Sequence, residues 1–395
     1  IQDGDAFVYT LALQDAGAFW YHPHVATAKT VEMGLYGSLI VTDGAVPANQ
    51  EVSLMLDDVL LATDELALFP RTGVDHAMMG RYGNVLLVNG QTQWKREVQT
   101  GSVVRFYITD AANARPFRLS VPGVLLKRVG SDGGVYQKET FVEEVIISPG
   151  ERYIVDAFFE KEGTYTLTHT TPGKTYVLGT VNVTGEPVAR SHATSFATLG
   201  SADIGIGTDI LKKMPVQEPD KQLRLTMTMG MGGMEGMHMM PDGTMMGGAM
   251  PGMMGGSMGA AAHDGIEWED TMGPMNAQST DGMVKWQLVD DTTGKTNMDI
   301  HWSFKKDQLV KVRIVNDPKA MHPMQHPIHF HGQRFLVLSE DGVPNTNLVW
   351  KDTALVKAGE TMDIVVEMSN PGMWMAHCHI LEHADGGMML GFTVR

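Results

Sequence analysis

The chain has 395 residues, 43% of them apolar, and a formal charge of −16 at pH 7. That length allows two to four domains with buried cores, and the charge argues against nucleic acid or an anionic membrane surface as partner. No uncharged apolar run is long enough to span a bilayer, the opening IQDGDAF has no signal-peptide pattern, and a single cysteine, Cys378, excludes an internal disulfide.

The first predicted element, GDAFVYTLALQDAGAFWYHPH (4–24), alternates apolar residues at Phe7, Tyr9, Leu11 and Leu13, the period of a strand, then reaches Gly17, His22 and His24. The unit returns without gaps as GERYIVDAFFEKEGTYTLTHT (150–170) and as GETMDIVVEMSNPGMWMAHCH (359–379). Gly163 and Gly372 match Gly17, and the alternation repeats at Tyr153, Val155, Ala157 and Phe159, then at Met362, Ile364, Val366 and Met368. Three copies of one unit predict three domains. A second landmark, ARPFRLSVP (114–122), precedes the middle copy and matches QHPIHFHGQ (325–333) before the last. This match pairs Arg115 with His326, Arg118 with His329 and Ser120 with His331, while Thr168 and Thr170 answer His377 and His379. The middle copy keeps the fold pattern but has lost these histidines. The first copy's version of the landmark is expected upstream of Ile1, so the chain is expected to open partway through its first domain.

Short strands, frequent turn signals and the absence of long helical periodicity predict an all-β protein of antiparallel sandwiches. The C-terminal part of domain 1 is expected at 1–46, domain 2 at 47–188 and domain 3 at 189–395, with a Met-rich insertion at about 226–262. From Met227 to Met258 the chain holds thirteen of its thirty methionines. A flexible low-complexity insertion is one reading. Soft, uncharged thioethers also offer Cu(I) a labile coordination shell. Met227, Met229, Met231, Met234, Met237, His238, Met239 and Met240 are therefore candidates for handling Cu(I), with Met324 two residues before His326.

On a strand, residues i and i+2 share a face and i+1 takes the other. His377 and His379 then point to one centre, and Cys378 between them points to another. His22 and His24 form the same two-pronged face in the first copy, where Pro23 replaces the cysteine, so only the last copy can hold a thiolate site. After Cys378 come His383 and Met388, and His326 completes two imidazoles, a thiolate and a thioether. That donor set is the signature of a blue, type 1 copper. Zinc is the competing metal, but its structural sites favour paired cysteines and no second cysteine exists.

HPIHFHG and AHCHILEHADGGMMLGF resemble the two C-terminal copper motifs of the multicopper oxidases, the laccase and cuprous-oxidase family, and WYHPH resembles the second of that family's two N-terminal motifs. The resemblance covers the whole chain and implies three cupredoxin-like Greek-key β-sandwich domains, the first N-terminally truncated. It implies a type 1 copper on His326, Cys378, His383 and Met388, a type 2 copper ligand in His329, and type 3 ligands in His22, His24, His331, His377 and His379. Four coppers are expected in the intact protein. The family's first motif, H-W-H-G, is absent from the sequence and would supply two further imidazoles. Ala384 stands where bacterial relatives carry an acidic residue for proton delivery, so Asp385 or Glu382 is the expected substitute.

The activity this implies is one-electron oxidation of Cu(I), with electrons passing from Cys378 to His377 and His379 and on to reduce O2 to water, in a role in copper tolerance. The copper-efflux oxidases of the family resemble the chain in the Met-rich insertion. Small aromatic reductants, phenols or aromatic amines, are the alternative substrates, and a non-catalytic copper scavenger is the rival from another class. No nucleic acid and no membrane span are expected. A monomer is expected, in a periplasmic or secreted setting.

Overall fold

The computed structural model describes residues 4–13, 15–206, 217–229, 238–239, 245–246 and 264–395. The protein is all-β, built of cupredoxin-like sandwiches. In the middle unit a six-stranded sheet, including Gln50–Val59, Ser102–Asp110 and Arg152–Phe159, faces a five-stranded sheet that includes Phe117–Ser120 and Gly163–Thr170. The last unit repeats the plan, with a six-stranded sheet including Lys221–Met229, Leu309–Asn316 and Thr361–Glu367. Its second sheet runs in the order His301–Phe304, Met389–Val394, Gly372–Cys378, His326–Phe330, Thr353–Val356. The alternating residues Val155, Ala157 and Phe159, and Met362, Ile364 and Val366, are buried in the two cores, as a sheet with one packed face requires.

The first copy departs from its expected strand. Residues 6–13 form no strand, and Phe7, Tyr9, Leu11 and Leu13 are exposed. The other two copies have an adjacent partner strand, Ser102–Asp110 beside Arg152–Phe159 and Leu309–Asn316 beside Thr361–Glu367. No described residue plays that part for residues 6–13. A strand's backbone groups need such a ladder, and an apolar period alone does not supply one. Pairing begins at Gly17. The strand Gly17–Tyr21 pairs with Gly37–Val41 and seats itself on the middle unit, where Ala18 N–H donates to the Asp132 carbonyl at 2.8 Å. A Cβ on Gly17 would lie 2.6 Å from that carbonyl oxygen, which is why a glycine stands there.

Strand register also corrects one sequence match. His329 lies opposite His377 and Thr353, while Ser120, not Arg118, lies opposite Thr168 and Glu144. Both ladders place the middle unit two residues out of the expected alignment. Ser120 is thus the counterpart of His329 and Phe117 that of His326. His169 then stands in the slot of Cys378, since it faces Leu119 as Cys378 faces Ile328.

Candidate metal centres

One pair of strands, His326–Phe330 and Gly372–Cys378, carries donors on both faces. His326, Ile328, Ala376 and Cys378 point into the sandwich and are at most 1% exposed. His329 and His377 stand opposite each other on the other face, away from that core.

On the inner face, Cys378 Sγ has His326 Nδ1 at 3.5 Å and His383 Nδ1 at 3.8 Å. His383 comes from the short helix Leu381–Asp385, which turns the chain back under the thiol. Met388 closes the loop, its N–H donating to the His383 carbonyl at 2.9 Å and its carbonyl accepting Cys378 N–H at 3.1 Å. Its side chain is fully buried in the same core cluster as Cys378. Burial pushes the Cys378 thiol well above its usual range, and burial together with the neighbouring histidines holds His326 down to about 3 and His383 well below its usual value. Ile380 N–H points at Sγ from 3.4 Å, a contact that favours the thiolate. A dry pocket with two neutral imidazoles and a thiol fits a cation that supplies the missing positive charge. Its soft donor set fits copper.

On the outer face six imidazoles meet. His329 and His331 have ring centroids 4.5 Å apart, His331 and His377 5.1 Å, and His377 and His379 5.6 Å. From the first unit, His24 lies 4.8 Å from His331, and His22 lies 5.4 Å from His379. The Nδ1 atoms of His22, His329 and His377 each lie against a carbonyl, of Pro23, Asp352 and Cys378, at 3.1, 2.9 and 2.7 Å. A carbonyl only accepts, so each Nδ1 carries the proton and each Nε2 presents a lone pair. The Nε2 atoms of His331 and His377 are 3.0 Å apart, an approach that calls for a proton or a cation between them. Burial first, then the mutual repulsion of the rings, lowers His22 to about 4 and His377 to about 3, and holds His331 and His379 well below their usual value. Neutral imidazoles converging through free lone pairs are metal ligands in waiting, and copper fits them.

The middle unit contributes no donor, but its Arg152 and Gly150 set the geometry together with Asp352 and Trp286 of the last unit. Asp352 holds His329 through its carbonyl and through Thr353 Oγ1, which lies 3.0 Å from Nδ1. The carboxylate of Asp352 is gripped at both oxygens by Arg152, at 2.6 and 2.5 Å. Burial opposes ionisation of Asp352, but the Arg152 guanidinium and His329 outweigh it and hold the carboxyl well below its usual range. Gly150, at φ +84°, lies so near His379 that a Cβ would approach the ring to 2.7 Å. Trp286 covers the thiolate site, its ring 4.6 Å from His326 and 4.7 Å from His383. None of these five residues is legible in the sequence as a site residue. Gly150 alone carries a signal, as the opening glycine of its repeat.

The two proton-delivery candidates separate. Asp385 is exposed and accepts the Thr27 and Ala28 N–H groups at 3.3 and 2.9 Å, capping the helix Thr27–Glu32, and its charge acts on His24. Glu382 is buried, with one oxygen taken by Asn113 and the other by Arg81 N–H. It lies in the junction of the three units rather than against the imidazole cluster.

The methionines also divide. Met227 is 5% exposed in the core opposite Trp286, so it is a packing residue and not part of an open coordination tract. Met229 packs half-buried on the same core, and Met324 is fully buried in it. His238–Met239 forms a two-residue ladder with Met245–Met246. Met231, Met234, Met237 and Met240 lie outside the described residues. No helix among the described residues is long and apolar enough to cross a membrane.

Comparison with known proteins places these features in context. Two family profiles, each described as multicopper oxidase, match the chain, one over residues 1–45 and the other over residues 269–395. Multicopper oxidase mco of Staphylococcus aureus is 25% identical over 95% of the chain and 68% of its own length. Laccase-2 of Cryptococcus neoformans var. grubii is 23% identical over the whole chain and 71% of its own length. The solved multicopper oxidase from Campylobacter jejuni, described as a metallo-oxidase, superposes with a TM-score of 0.67 at 25% identity, covering 96% of this chain and 72% of that one.

Proposed function

The chain belongs to the multicopper oxidase family, and from that premise we propose that it oxidises Cu(I) at the Cys378 donor set and reduces O2 to water at the imidazole cluster, serving copper tolerance. Copper, when bound, supplies the single-electron chemistry that lets four one-electron oxidations match one four-electron reduction. The residues then have separate tasks. His326, Cys378, His383 and Met388 hold the type 1 ion in a dry pocket. His329 serves the type 2 ion, and His22, His24, His331, His377 and His379 the type 3 pair. Residues 377–379 join the two donor sets through consecutive peptide units and give electrons a short covalent route. Asp385, beside His24, is the residue we assign to hold a proton for the cluster. Domain limits near 46/47 and 188/189, both between strands, belong to the same proposal.

The observation that carries the Cu(I) reading is where the methionine tract is anchored. It leaves the sheet after Met229, and the chain re-enters at Val284 directly opposite. Two residues along this ladder Met227 faces Trp286, whose ring lies on both imidazoles of the thiolate site. A soft-donor segment is thereby tethered at the point where electrons would enter. Such chemistry suits a periplasmic or extracellular setting.

Oxygen uptake with Cu(I), measured alongside copper content, tests the reading. Four coppers per chain and uptake support it, while one or two coppers without uptake leave only a copper-binding protein. Oxidation of phenols is the second reading, favoured by the similarity to Laccase-2. Deleting the Met-rich tract separates the two: Cu(I) oxidation should fall and phenol oxidation rise.

A further inference from the structure

The sheet face that bears the imidazole cluster continues beyond it. On Gly372–Cys378 the residues sharing a face with His377 are Met375 and Met373. Met375 lies opposite Gly391, and Gly391 lies beside His301 in the next strand. On the other side, His331 N–H donates to the Met375 carbonyl at 2.9 Å. One row across four strands therefore runs His331, Met375, Gly391, His301. The glycine leaves a gap in the row, and Met298, from the turn Asn297–Asp299, hangs over it with its methyl 4.0 Å from where a Cβ would be.

The result is a groove of about 380 Å³ walled by Met298, His301, His331, Met373, Trp374 and Met375. No carboxylate among the described residues lines it. Met375 and His301 stand two strands apart, about 10 Å at the usual interstrand spacing. A thioether and an imidazole leaning over a glycine from the two sides can both reach one ion at its centre. Met298 and Met373 are 52% and 87% exposed, so the donors are open to solvent. A solvated sheet face has no need of three thioethers around one glycine gap.

We propose that this groove is a binding site for a soft monovalent cation, Cu(I) or its analogue Ag(I), held by Met298, Met375 and His301 with Met373 at the rim. Thioether and imidazole donors select such ions, whereas Mg²⁺ and Ca²⁺ require oxygen ligands. The site is separate from the thiolate centre, because Cys378 points through the opposite face of the same strand. Its inner end is His331, so a cation held there waits beside the imidazole cluster. The assignment does not depend on whether Cu(I) or a phenol is the reductant, since it concerns binding alone.

The test uses Ag(I) on the copper-loaded full chain, with silver retained after desalting counted per chain, and on crystals soaked in Ag(I) and read by anomalous scattering. The expected result is a peak over Gly391 within bonding distance of Met298, Met375 and His301. The variant carrying Met375→Leu and His301→Gln should retain one silver fewer than the parent chain. Silver taken up by the Met-rich tract is common to both proteins and cancels in the difference. Equal silver counts overturn the proposal, as does a peak in soaked crystals with no difference in solution. Retention of the blue colour shows that the variant has folded. If it is lost, Met298→Leu on the exposed turn gives the same count comparison.

Discussion

The middle and last sandwiches build the same strand pair with opposite chemistry. In the last, His329 and His377 face each other on one side while His326 and Cys378 lie on the other. In the middle, Ser120 and Thr168 take the first pair's places and join their hydroxyls at 2.9 Å, and Phe117 and His169 take the second's, with rings 5.0 Å apart. The backbone is shared, and only the side chains decide whether donors are left open or are consumed. His169 is consumed. Its Nδ1 accepts the Arg118 N–H at 3.0 Å, and the ring is walled by Phe117, Tyr176 and Trp268. A cupredoxin-like sandwich is thus a stable core without metal, and the copper centres are added where the same positions present lone pairs to a common point.

The widest test of this contrast is Cys378→Ser. The hydroxyl leaves no thiolate donor, so the blue colour should vanish from the visible spectrum and substrate-driven oxygen uptake should fall to background, while Ser120 and its surroundings are untouched. If colour persisted, the thiolate assignment would fail.

His169 offers the next largest effect. Burial and then the Arg115 charge lower it from 6.5 to about 4. Between those values the unfolded chain binds a proton that the fold does not, so the stability due to a neutral His169 is complete above pH 6.5 and drains away as pH falls toward 4. At 1.36 kcal/mol per pH unit that loss is about 3 kcal/mol. In His169→Asn the side-chain oxygen can still accept from Arg118. Urea unfolding at pH 7.5 and 4.5 should therefore show an acid loss smaller by about this amount, and an equal loss in both proteins would remove His169 from the account.

Asp352→Asn should act on one centre only. Partners that orient a ligating histidine typically change metal affinity by about 10- to 100-fold. Copper at the imidazole cluster should then leave more readily to a chelator, while the blue colour stays. Loss of both centres together would instead mean that breaking the Arg152 pair, which costs about 3–5 kcal/mol when buried, had disrupted the fold. Asp385→Asn should slow oxygen uptake without changing copper content, and an unchanged rate would dismiss the residue from proton delivery. The smallest effect is a null one. His169→Cys restores a cysteine to the slot in the middle unit, yet no blue colour should appear, because Phe117 stands where His326 would be needed.

The sequence by itself determined the strand periodicity, the threefold repeat and the two donor sets. His-x-His on a strand and a cysteine between two histidines constrain side-chain direction through local geometry alone. Met227 escapes that logic, since composition marks a tract but not the residue at which a strand ends and its core-facing alternation stops. The two-residue slip at Ser120 and the absence of a strand over 6–13 have one cause, that pairing belongs to neighbouring strands and not to the segment. Only the tertiary structure decided that Asp352 and Arg152 fix the His329 ring, that Gly150 clears room for His379 and that Asp385 caps the helix beside His24. Arg152 and Asp352, Gly150 and His379, and Asp385 and Ala28 each lie 200 or more positions apart in the chain, and no local pattern records a contact made by burial at a junction of three units.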